Sequence, residues 1–190
     1  MPAADVSCLD EINKARELVD LSPFGKRSEE LTKTTGLTPD AICKKLIHFA
    51  GISSDKHSGE KGTIAFAFQK EQSCPAAVQK WKRGYWALNG KPTTFKAGEG
   101  EFKDPDAVHF MALYNPIQGG QVACAFYKCK DDQEQTDLVD AMVCAMDGKV
   151  EANFTEEQWE KIVKAMEGSA TYVSPGIVLL GAAALGYVLY

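Results

Sequence analysis

VHFMALYNPIQGGQVACAFYKC, Val108 to Cys129, carries the strongest extended pattern in the chain. Val108, Phe110, Ala112 and Tyr114 recur at every second residue, as do Val122, Cys124 and Phe126. Side chains alternate across a strand, so this period predicts two half-buried strands, 108–114 and 121–129. The connection Asn115-Pro116-Ile117-Gln118-Gly119-Gly120 holds the residue types that a hairpin loop requires. Two further strands are predicted on either side. In Thr63 to Phe68 the bulky Ile64, Phe66 and Phe68 alternate with the small Ala65 and Ala67, and in Leu138 to Met146 Val139, Ala141, Val143 and Ala145 alternate with Asp140, Met142 and Cys144. Lys130 to Thr136 between them reads as an acidic, solvated turn.

Helical periodicity occupies the rest. Leu9, Ile12, Ala15 and Val19 make one stripe, and Ile42, Leu46, Ile47 and Ala50 a second, opened by the cap Thr38-Pro39-Asp40 and closed by Gly51. A third helix begins at Ser73-Cys74-Pro75 and buries Ala77, Val78, Trp81, Tyr85 and Leu88. The last carries Thr155 and Gln158 at capping-box spacing, Phe154 and Trp159 at staple spacing, and Trp159, Ile162, Val163 and Met166 as its inner face, ending at Gly168. Ser22 to Gly36, Ser53 to Gly62 and Lys91 to Asp106 read as connections, the first with a short helical turn. Helices around a small antiparallel sheet make an α/β sandwich, one domain of a size that buries a single good core.

Six cysteines, at 8, 43, 74, 124, 129 and 144, suit three disulfides in an oxidising compartment and leave 15 pairings open. There is no Cys-x-x-Cys pair, so zinc is not the expectation. A net charge of −5 and a pI near 5.3 argue against nucleic acid as a partner.

From Ser169 to Tyr190 there is no charged residue, a length of roughly 20 residues that matches a bilayer core of about 30 Å. Read as a signal for a glycolipid (GPI) anchor, Gly168, Ser169 and Ala170 supply the small residues of the attachment site, Thr171 to Pro175 a spacer shorter than usual, and Gly176 to Tyr190 the apolar tail. A spanning tail anchor and a buried core helix are the other readings. Pro175, Gly176, Gly181 and Gly186 weaken the spanning helix, and a core helix here would have to be apolar on every face. No basic and then apolar secretory leader precedes Cys8, which either places the leader outside this numbering or favours the tail anchor.

The combination Cys8-Leu9-x-x-Ile12-Asn13-x-x-Arg16, Trp81, Asn115-Pro116, Ala123-Cys124-Ala125-Phe126-x-x-Cys129 and Phe154-Thr155-x-x-Gln158-Trp159 resembles the glycolipid-anchored surface antigens (SAG) of Eimeria-type coccidian parasites. The resemblance covers most of residues 8–190. It implies a segment 1–7, a domain 8–168 and an anchor signal 169–190. It also implies a fold similar to the CAP superfamily of cysteine-rich secretory proteins, antigen 5 and pathogenesis-related proteins: a disulfide-stabilised α-β-α sandwich with a small antiparallel sheet.

His109-Phe110 is similar to one signature segment of that superfamily. The rest of its two-histidine, two-glutamate metal set is missing, since the first helix has no histidine and Trp81-Lys82-Arg83-Gly84 stands where a glutamate is expected. His57-Ser58-Gly59-Glu60 is a weak substitute pair, and a lone His109 on a strand reads as a half-exposed histidine bonded to backbone. Neither cofactor nor tight metal binding is expected.

No nucleophile-elbow, zincin or paired-cysteine motif points to an enzyme. The expected function is therefore that of a monomeric, non-catalytic antigen on the outer leaflet of the plasma membrane, exposed to the immune system or attaching to host cells. Lys80, Lys82 and Arg83, with Tyr85 and Trp86, are the candidate patch for acidic glycans against a plain solvated helix face. Lys91 to Asp106 is a second candidate by its length, and Asn153-Phe154-Thr155 is a glycosylation sequon whose threonine is also the predicted helix cap. A metal- or lipid-binding activity of the superfamily type and a cytosol-facing tail-anchored protein with reduced thiols are the alternatives.

Overall fold

The computed structural model describes residues 4–51, 63–96, 98–130, 136–146 and 150–170. Within these, β1 (Ala4–Val6), α1 (Leu9–Glu17), β2 (Gly25–Lys26), α2 (Leu31–Thr35), α3 (Pro39–Phe49), β3 (Thr63–Phe68), α4 (Cys74–Lys82), α5 (Pro105–Leu113), β4 (Gln121–Lys130), β5 (Asp137–Met146) and α6 (Glu156–Ala170) follow in order. Two 3-10 turns, Arg83–Ala87 and Gly100–Lys103, lie between α4 and α5.

The sheet runs β1-β4-β5-β3 with antiparallel neighbours, and β2 pairs β4 in parallel beside β1. Both of its faces are covered. Ala65, Ala67, Val122, Cys124, Phe126, Met142, Cys144 and Met146 point into a core built with α1, α4, α5 and α6, while Phe66, Ala125, Tyr127, Cys129, Val139, Ala141, Val143 and Ala145 point into a second core under α2 and α3. The strict alternation along β3, β4 and β5 is the period-2 pattern of the sequence, with apolar side chains on both sides because both sides meet helices. Small Ala65 and Ala67 let α4 and α5 approach closely, and bulky Phe66 fills the other side.

One expected strand is a helix. Residues 108–114 lie in α5 and its C-terminal turn, where Ala107, His109, Phe110, Met111, Ala112 and Leu113 are all buried. A helix buried on every side shows no amphipathic stripe, so a run of apolar residues matches the strand period as well as the helical one. The deciding signal lies upstream. Asp104 accepts a hydrogen bond from the Asp106 amide at 2.8 Å, and Pro105 occupies the first turn. The hairpin is accordingly not 108–129: β4 pairs with β5, and β5 is the inner strand between β4 and β3.

The third predicted helix changes to a 3-10 turn at Arg83, because Gly84 lies against the α5 backbone. The long connection 91–106 holds the turn Gly100–Lys103, and the connection 22–36 holds β2 and α2. Ala4–Val6, within the segment expected to precede the domain, form β1 at the sheet edge.

Three disulfides choose among the open pairings. Cys8–Cys74 ties α1 to α4, Cys43–Cys129 ties α3 to β4, and Cys124–Cys144 crosses between facing residues of β4 and β5, whose Cα atoms are 4.1 Å apart.

Candidate functional site

Trp81 turns inward: it is 1 % exposed and donates Nε1 to the Phe66 carbonyl at 2.9 Å. That indole fixes how its basic neighbours are distributed. Lys80 is exposed and donates to the Phe68 carbonyl at the end of β3. Together these two donors cover carbonyls on the outer edge of β3, which would otherwise be open to another strand. Lys82 is half-buried near Glu11 of α1. Burial pushes its ammonium below the ordinary lysine value, and Glu11 opposes the shift. Arg83 is exposed, and with Lys80 it lies in the field of Asp106. The predicted patch is thus divided: Lys80 and Arg83 share the side of Asp106, and Lys82 faces Glu11.

His109 is on α5, not on a strand, and is 3 % exposed rather than half-exposed. Its ring meets Phe66 edge-on at 4.3 Å. Nδ1 is 3.7 Å from Asp106 Oδ1, which is too long for a good hydrogen bond but close enough for attraction. Interaction with His109 is the main cause holding the Asp106 carboxyl below its ordinary range. Burial opposes it, and Arg83 and Lys80 assist. Two side chains do not make a metal site, and the pair His57 and Glu60 lies outside the described residues. Among the described residues one group of metal-ligand atoms converges, the sulfurs of Cys8, Cys124 and Cys144, and all three are in disulfides.

At the other end of the 3-10 turn an aromatic row leads to α6. Trp86 is 61 % exposed and stands edge-on to Tyr85, with ring centroids 4.9 Å apart. Tyr85 faces Trp159 at 6.0 Å and donates its hydroxyl to Glu167 Oε1 at 3.2 Å. The cap of α6 forms as its spacing predicts. The Thr155 amide donates to Gln158 Oε1 at 3.0 Å, the Gln158 amide to Thr155 Oγ1 at 3.1 Å, and Phe154 packs on Trp159 at 5.7 Å. Asn153, just before this cap, is exposed. Gly168 is exposed in the last turn of α6, which continues to Ala170. The remainder of the anchor segment, 171–190, lies outside the described residues, and among those described no helix is long and apolar enough to cross a membrane.

The signature residues that carry the resemblance are structural here. Cys8 is in a disulfide and Ile12 is buried. Asn13 exchanges two hydrogen bonds with the Phe24 backbone, at 2.8 and 2.9 Å. Arg16 is fully buried, with Cζ 3.7 Å from the centre of the Phe24 ring. Asn115 accepts a hydrogen bond from the Glu151 amide at 3.2 Å.

The sequence model of the sporozoite surface antigen (SAG) protein domain matches residues 4–181. The sporulated oocyst TA4 antigen of Eimeria tenella is 27% identical over 224 residues, which takes in 96% of this chain and 87% of that antigen.

Proposed function

Because the chain belongs to the sporozoite surface antigen family, we propose that it is an antigen of a coccidian parasite, held on the outer leaflet of the plasma membrane by a glycolipid added at Gly168 or Ser169. The observation that carries this reading is the order of features at the C-terminus. The domain closes with α6, its last charged residue is Glu167, and an uncharged stretch follows an exposed glycine. The disulfides support it, since no cysteine is left free and such a framework belongs to an oxidising compartment. A CAP-like sandwich remains part of the proposal, resting on the resemblance, beside the observed helices on both faces of a small, mainly antiparallel sheet with three disulfides.

The proposed role is non-catalytic. His109, the imidazole that the superfamily resemblance brings forward, is sealed beneath Phe66. Among the candidate cations Lys80 and Arg83 share an exposed side, but Asp106 next to them reduces the net charge, so exposure to the host fits this surface better than capture of acidic glycans. A glycan at Asn153 is part of the proposal.

Treatment of intact parasite cells with a phosphatidylinositol-specific phospholipase C tests the anchor. Release of the antigen into the medium is the expected result. Retention would speak for a spanning tail, and an intact Tyr190 with six free thiols in native material would overturn the extracellular reading altogether.

A further inference from the structure

We infer that the Trp86–Tyr85 face rests on the bilayer and orients the antigen on its membrane, an inference that builds on the anchor reading above. Tyr85 donates its hydroxyl to Glu167, and Glu167 is the last charged residue of the chain. A glycolipid attached within the next few residues therefore tethers the chain to its membrane on the side of Tyr85. The ring stacked edge-on against it, Trp86, is the most exposed indole of the molecule, at 61 % against 1 % for Trp81 and 8 % for Trp159. Left in water, a large aromatic surface is unfavourable. Tryptophan and tyrosine combine an apolar body with a polar tip and partition to the level of lipid headgroups.

The same end of the domain holds an open groove of about 450 Å³ on α6, lined by Trp159, Glu160, Val163, Lys164, Glu167 and Gly168. Acids and a base both border this groove, with Lys164 beside Glu160 and Glu167. Such a mixture suits a zwitterionic headgroup, which presents one charge of each sign, and not a strongly anionic surface, which the acids would repel.

The test uses anchored protein extracted in detergent from the cells that express it and returned to phosphatidylcholine vesicles. These are made with or without bromine on the acyl-chain carbons nearest the headgroup. Flotation reports whether the chain is held by lipid, and tryptophan emission reports whether Trp86 touches it. The expected result is flotation together with loss of emission in brominated vesicles, a loss absent from Trp86→Phe. In the unmodified protein, quenching by acrylamide from the water should fall on return to vesicles. Flotation with equal bromine quenching of both proteins, or with unchanged acrylamide quenching, overturns the orientation and leaves the anchor standing. Failure to float overturns the anchor and the orientation with it.

Discussion

Arg16 on α1 donates Nη1 to the carbonyl of Leu113, 2.8 Å away at the C-terminal end of α5, and donates Nε to the carbonyl of Ser22 at the same distance. The guanidinium is fully buried, and burial lowers its pKa to about 10, so the charge is held at a free-energy cost. Its compensation is the negative end of the α5 dipole, the Ser22 carbonyl and the Phe24 ring. Arg16→Met removes the charge, its desolvation and the two hydrogen bonds together, and should cost about 1–2 kcal/mol. Arg16→Lys keeps a buried charge on a side chain without the planar fork that reaches both carbonyls, and should cost about 3 kcal/mol. Urea unfolding of the two variants checks the order. Lysine tolerated better than methionine would show that the positive charge itself is what the site requires.

Gly84 permits the 3-10 turn to lie on α5. A Cβ at this position would stand 1.9 Å from the carbonyl oxygen of Asp106 and 2.8 Å from Phe110 Cβ, and backbone cannot yield as a flexible side chain can. Gly84→Ala should therefore cost about 2 kcal/mol or more and lower the melting temperature by about 4–8 °C. Gly168→Ala meets nothing within 4 Å in an exposed helical turn, so it should be neutral or stabilising by up to about 1 kcal/mol. Thermal melts showing equal behaviour of the two variants would contradict this account.

The same contrast shows what could be read from the chain before folding. Where one local rule acts, the reading holds: the box Thr155/Gln158, the proline caps of α3 and α4, and the alternation in β3, β4 and β5 all describe interactions within a few residues. It fails where distant packing decides. Residues 108–114 match the strand period because nearly every residue from Ala107 to Tyr114 is buried, and the only local sign of the helix is Asp104-Pro105-Asp106. The basic run Lys80, Lys82 and Arg83 looks like one patch in sequence, but Trp81 turns inward between its members and Asp106 and Glu11 come from other helices. The cysteine pairs span 66, 86 and 20 residues, separations that no local pattern encodes.

Those separations predict an order of stabilisation. Closing a loop removes more entropy from the unfolded chain when the loop is longer, about 4.5 kcal/mol for Cys43–Cys129 and Cys8–Cys74 against about 3 kcal/mol for Cys124–Cys144. The last of these joins strands that are already paired, so the sheet should survive its loss. Double Cys→Ala variants measured by urea unfolding should rank Cys124/Cys144 as the mildest. If that pair proves the most costly, native-state packing around β4 and β5 outweighs the chain entropy.

Alkaline pH acts on the same interior through tyrosine. Burial raises the pKa of Tyr127 to about 12 and raises Tyr114 further, and the hydroxyls of both are buried without a hydrogen-bond partner among the described residues. Above pH ~10 these phenols ionise in the unfolded chain while the folded protein keeps them protonated. The folded state then binds more protons than the unfolded state, so stability falls as pH rises, by about 2 kcal/mol for Tyr127 between pH ~10 and ~12. Tyr114 adds to the decline in the same sense. Tyr127→Phe should be neutral or slightly stabilising near pH 8, since it deletes an unpaired buried hydroxyl, and should flatten the decline toward pH ~11. Urea midpoints at the two pH values provide the check. A Tyr127→Phe variant that is less stable near pH 8 and keeps the full alkaline decline would show that this hydroxyl has a partner and titrates normally.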